Sequence, residues 1–128
     1  MIEFADAVPA EAEQAAAGAH GPRAAALVAV VRGGWHKADA IAQFGEVLGF
    51  PNWFGHNLDA LADLLPDDAQ RRARVEGWWL VWVPSHHLVT THPADYAGIV
   101  DILALSAAQP GTRVTVVGPR PTSRPPTG

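Results

Sequence analysis

The chain has 128 residues, 48% of them hydrophobic, a formal net charge of −4 and no cysteine, which suits one domain with its own core and is too short for two ordinary ones. Without cysteine, disulfides and thiolate chemistry are excluded, and a reducing compartment fits. The first twenty residues carry acids and no Lys or Arg, unlike a secretory signal, and no apolar run approaches the roughly 20 residues of a membrane-spanning helix, so a soluble cytoplasmic protein without a membrane partner is expected.

Residues 1–26 read as an N-terminal extension, rich in Ala and Glu, able to form a helix over Ala10–Ala17 but with little to bury, hence partly helical or flexible and loosely attached. Leu27 to Arg32 is a β-branched run stopped by Gly33-Gly34 and reads as the first core strand. The two glycines match neither the G-x-G-x-x-G nor the G-x-x-x-x-G-K-[ST] spacing, so they read as a strand-to-helix turn rather than a phosphate cradle. Lys37 to Leu48 sets Ile41, Phe44, Val47 and Leu48 at helical spacing, and Gly49 and Pro51 end that helix.

The stretch from Phe50 to Leu65 is the most informative. An aromatic-glycine loop, Asn52-Trp53-Phe54-Gly55, leads into a helix with Asn57 as its N-cap. At about 100° per residue, Leu58, Leu61 and Leu65 share one stripe while Asp59 and Asp63 project on nearly the opposite side. Pro66 ends this helix or opens another, short one. Asp67 and Asp68 near its start are spaced for pairing with Arg71 and Arg72, which makes Asp68 a structural residue.

Trp78 to Val83 is a continuous apolar run closed by Pro84, as in a central parallel strand covered on both faces. A loop follows. Pro93 then opens a helix in which Tyr96, Ile99, Val100, Leu103, Ala104 and Ala107 repeat at helical spacing until Pro110-Gly111, and Arg113 to Val117 forms a third strand. Residues 119–128 read as a disordered proline-rich tail. The order strand, helices, strand, helix, strand gives an α/β domain over residues 27–118, with a small three-stranded parallel sheet and helices packed on it.

Catalytic patterns are missing from this sequence. Ser85, Ser106 and Ser123 stand in no nucleophile elbow. Asp59 and Asp63 on an exposed helical face lack the burial that splits two carboxylate pKa values. His86, His87 and His92 match no standard zinc spacing and read as a loop of surface histidines. The expectation is a binding protein, not an enzyme, with no cofactor and no metal. From Ala38 to Gln70 the chain carries Asp39, Glu46, Asp59, Asp63, Asp67 and Asp68 and no Lys or Arg. Such a field favours a basic protein partner and repels nucleic acid, although charge runs also occur as plain solvated faces. Trp53 and Phe54 beside Gly55 suit either the core or a binding hot spot.

The run Pro51-x-Trp53-Phe54-Gly55-x-Asn57-Leu58-Asp59-Ala60-Leu61-x-Asp63-x-Leu65 resembles the barstar family of intracellular ribonuclease inhibitors, and the element order from Leu27 to Val117 is similar to the family's compact fold. The resemblance implies that Trp53 enters the active site of a secreted guanyl-specific ribonuclease and that Gly55 lets the inhibitor backbone come close. It implies that Asn57 and Asp59 make polar contacts around that site, and that Asp63 takes the substrate-phosphate position facing catalytic Arg and His groups. Asn52, Phe54, Ala62, Pro66 and Asp67 complete the implied ribonuclease-binding surface, in a 1:1 complex with a monomeric inhibitor. The chain departs from the family at Ala62, where a tryptophan is expected, at Pro66 and Asp67, and in the late helix, where Asp95 and Asp101 are available but Ser106 and its neighbours offer no acidic contact. Two further readings remain open: an immunity-type module against a toxin that is not a ribonuclease, and a small α/β nucleotide-binding regulator using Gly33-Gly34 or the histidines.

Overall fold

The computed structural model describes residues 2–18, 28–51 and 57–121. The apolar run of the sequence becomes β3 (Trp78–Val83), an inside strand, because six consecutive hydrophobic residues need cover on both faces. It pairs in parallel with β2 (Val28–Arg32) on one side and β4 (Thr112–Val117) on the other, and β1 (Ile2–Ala5) adds to the far edge of β4, giving the order β1-β4-β3-β2. The sheet thus has four strands rather than the three expected. The additional strand comes from the segment read as an extension; its four residues are too few to establish a period of two. Its support is long-range, since the Glu3 carboxylate accepts from Arg113 Nε at 2.6 Å and from the Thr115 hydroxyl at 2.9 Å. Arg113 in turn lies 3.9 Å above the Trp79 ring, and Trp79 Nε1 donates to Thr115 Oγ1 at 2.9 Å.

One face of the sheet presents Ala29, Val31, Leu80, Trp82, Val114 and Val116 to a core built with α2 (Lys37–Leu48), α3 (Leu58–Glu76), α4 (His86–Thr91) and α5 (Pro93–Ala107). Trp82 is fully buried, with ring centroids 5.8 Å from Phe44 and 5.6 Å from Tyr96. On the other face α1 (Ala10–Gly18) packs against β2; Ala12 and Val81 are fully buried there, and Glu13 meets Arg32 at 3.2 Å. Gly33 and Gly34 are a turn with φ of 91° and 101°, and a Cβ on Gly34 would come within 2.4 Å of the Ala40 backbone. No helix among the described residues is long and apolar enough to cross a membrane.

Two further expectations are corrected. Pro66 neither ends nor begins a helix but sits inside one continuous α3. Proline takes away the usual donor to the Ala62 carbonyl, yet Leu61, Leu65 and Ala69 are buried on one side across that point, so packing carries the helix through. The segment after β3 is not a loop: Ser85 caps α4, its hydroxyl accepting from Leu88 N at 3.1 Å, and Leu88 anchors the turn in the core. Within α5, Ala104 is exposed while Ile102 and Ser106 are buried. The tail from residue 122 lies outside the described residues.

The Glu3 pairing has a pH signature. The hydrogen bonds from Arg113 and Thr115 hold its carboxyl below the usual carboxylate range, against a smaller opposing effect of burial. Folding therefore favours the ionised form, and the stability this contributes is present above the unfolded-chain value and lost as pH falls through the folded one. Because both partners are about half exposed, the contribution is about 1 kcal/mol or less. Glu3→Gln should lower the melting temperature slightly at neutral pH, with the gap to the parent chain closing below about pH 4 in thermal melts across a pH series.

Candidate functional site

The site begins where α2 stops. Gly49, in the left-handed region at φ 72°, and Phe50 both donate their amides to the Gly45 carbonyl, at 2.9 and 3.1 Å. Phe50 packs against the core. Asn52, Trp53, Phe54 and Gly55 lie outside the described residues. The chain is described again at Asn57, whose side-chain oxygen accepts from Ala60 N at 2.8 Å and starts α3 as an N-cap.

From there α3 separates anchoring from display. Leu61, Leu65 and Ala69 are fully buried, and partly buried Leu58 rests on α5 at Gly98, where an added Cβ would meet Leu58 Cδ1 at 3.1 Å. Asp59 and Asp63 are exposed and make no ion pair among the described residues. Ala62 and Pro66 are half-buried beside them. Further along, Arg71 gathers the other acids: its Nε lies 3.6 Å from exposed Asp67, and its terminal nitrogen donates at 3.2 Å to buried Asp68. The Arg72 side chain, expected to pair with Asp68, lies outside the described residues. Asp67 belongs to the implied binding surface by position, but its charge is shared with Arg71.

The late helix contributes little negative charge. Asp95 pairs with Lys37 at 3.9 Å, Asp101 is exposed, and the buried Ser106 hydroxyl donates to the Ile102 carbonyl at 3.3 Å. What the described part of the site offers chemically is two carboxylates one helical turn apart, on a helix whose far side is locked into the core. That arrangement suits attraction of a cationic surface better than proton transfer.

The histidines are arranged differently from the sequence reading. His87 and His92 stand in and beside α4 and meet His36 at the start of α2, whereas His86 is exposed and outside the group. No spacing rule could have joined His36 to them, because the contact arises only when β2 and β3 lie side by side.

A family model described as Barstar (barnase inhibitor) matches residues 25–117, well over half of the chain. No curated protein matches the chain, and no solved structure does. The match runs from just before β2 to the end of β4 and includes the loop and α3, while β1 and α1 precede it. The chain belongs to the barstar family.

Proposed function

We propose that this protein is an inhibitor of a basic secreted ribonuclease of the guanyl-specific class, acting in the cytoplasm as a monomer in a 1:1 complex and without catalysis of its own. The observation that carries the reading is the pair Asp59 and Asp63, exposed and unpaired among the described residues, on a helix held by buried Leu61 and Leu65 within the family-matched region. In this reading the carboxylates of Asp59 and Asp63 stand in for RNA phosphate, Trp53 fills the base site, and Asn57 and the backbone at Gly55 complete the contact. Ala62 and Pro66 flank the acids with little bulk, and a partner with a larger side chain opposite Ala62 is accommodated there.

Titrating the purified protein into a panel of guanyl-specific ribonucleases while following RNA cleavage tests the class: stoichiometric loss of activity is expected, and a full panel left active sinks the reading. Against a responsive enzyme, Asp63→Ala should weaken inhibition by about 2–5 kcal/mol, the range for truncating one partner of a buried interfacial charge pair, of which this family's own inhibitor–nuclease complex is a known instance. Its melting temperature should hold or rise slightly, because Asp63 is exposed and its removal relieves like-charge repulsion with Asp59 and Asp67. Trp53→Ala should cost roughly 2 kcal/mol or more of affinity with little loss of stability, as a hot-spot truncation does, whereas Phe54→Ala should chiefly lower the melting temperature. If inhibition is unchanged in Asp63→Ala, the phosphate-mimic role is wrong.

Charge makes a separate kinetic forecast. Steering acts on the encounter, so the association rate should fall steeply as salt rises while dissociation changes little. Stopped-flow mixing across a salt series reads this directly; a flat association rate would leave the acids as solvated surface.

A further inference from the structure

We propose that His36, His87 and His92 form a three-imidazole binding site for one divalent transition-metal ion of the zinc type, joining the corner after β2 to the corner after β3. The three residues offer ligand nitrogens that all lie within 4.8 Å of one another. Their ring centroids are 5.7 Å apart for His36 and His87, 5.3 Å for His36 and His92, and 5.3 Å for His87 and His92, with interplanar angles of 78°, 69° and 70°. A zinc ion about 2.1 Å from each nitrogen lies roughly 3.2 Å from each ring centre, so tetrahedral angles put the centroids about 5.2 Å apart. The observed centroid spacing is within half an ångström of that value, and small ring rotations bring the nitrogens, which lie within 4.8 Å of one another, to the roughly 3.4 Å that tetrahedral coordination sets.

Three features place the rings for something other than helix formation. His36 and His92 occupy the N-cap positions of α2 and α5, where Ser, Thr, Asp or Asn would cap, and neither side chain makes a capping hydrogen bond. Both imidazoles turn toward the cluster instead. Trp35, 58% exposed, stacks on His87 with centroids 4.0 Å apart and planes within 9°, fixing that ring from its outer side. The Lys37–Asp95 pair at 3.9 Å ties the first turns of α2 and α5 together directly beside His36 and His92. Imidazole donors suit zinc, copper and nickel, and three of them leave a fourth position for water or for a side chain from another molecule. This site is independent of the acidic face on α3.

Isothermal titration of the full-length, tag-free chain with Zn²⁺ alone should give one ion per chain and raise the melting temperature, and Co²⁺ should give the visible absorption of a tetrahedral site. Removing an outer-sphere partner of a metal ligand costs about 10–100-fold in affinity, so His36→Ala and His92→Ala, each removing a ligand itself, should weaken Zn²⁺ binding by about 100-fold or more, while His86→Ala should leave it intact. His36 is exposed and its side chain caps nothing, so its truncation preserves the fold, which circular dichroism checks; if His92→Ala unfolds, His36→Ala decides alone. Failure of the parent chain to bind Zn²⁺ stoichiometrically, binding unchanged in His36→Ala, or an equal loss in His86→Ala would each overturn the site.

Discussion

The placement of α2 and α5 on the main face of the sheet depends on Trp82. This ring sits on the inside strand, fully buried, with Phe44 of α2 against it and Tyr96 of α5 stacked upon it. A buried tryptophan removes about 150–250 Å² from water, and that gain offsets an indole N–H with no hydrogen-bond partner among the described residues, a loss of about 1–3 kcal/mol. Tyr96 meets the same demand differently: its hydroxyl donates to the Pro119 carbonyl at 2.7 Å, and burial pushes its pKa up to about 12, so it remains a neutral donor. With α2 and α5 fixed on either side of Trp82, the Lys37–Asp95 contact and the bed on which α3 lies are both determined.

Stability and display are assigned to different sides of the same helix. Leu61, Leu65 and Ala69 recur every four residues and are buried on both sides of Pro66, which is why a proline that would stop an isolated helix is tolerated here. A helix so anchored presents its outer side rigidly, and rigid presentation lowers the ordering cost of any contact made there. Arg71 then limits the extent of the negative surface by taking up Asp67 and Asp68. Among the described side chains of α3, the acids without an ion pair, Asp59 and Asp63, fall in the first two turns, at the Asn57 end.

Most of this was legible in the sequence where the signal was local and periodic. The central strand, the α2 spacing with its glycine stop, the Asn57 cap and the division of α3 between leucines and aspartates all follow from neighbouring residues. The failures share a non-local cause. β1 is held by Glu3 reaching Arg113 and Thr115 more than a hundred residues away, α3 continues past Pro66 because of tertiary packing, and the short α4 persists because Leu88 is buried. His36 joins His87 and His92 only through the pairing of β2 with β3. Element type was readable from periodicity, whereas strand count and side-chain convergence belong to the assembled sheet.

The acids of α3 oppose the helix that carries them. Asp59, Asp63 and Asp67 stand at successive i,i+4 positions, where like charges destabilise a helix by about 0.2–0.5 kcal/mol per pair. Asp59 has a local justification, since an acid in the first turn complements the helix dipole. Asp67 has one in Arg71. Asp63 has neither: it is exposed, past the first turn, between two acids, and without an ion pair among the described residues. Local rules broken without internal compensation are concentrated at functional positions. Asp63 is therefore the residue at which internal stability and the proposed partner's demand diverge most clearly.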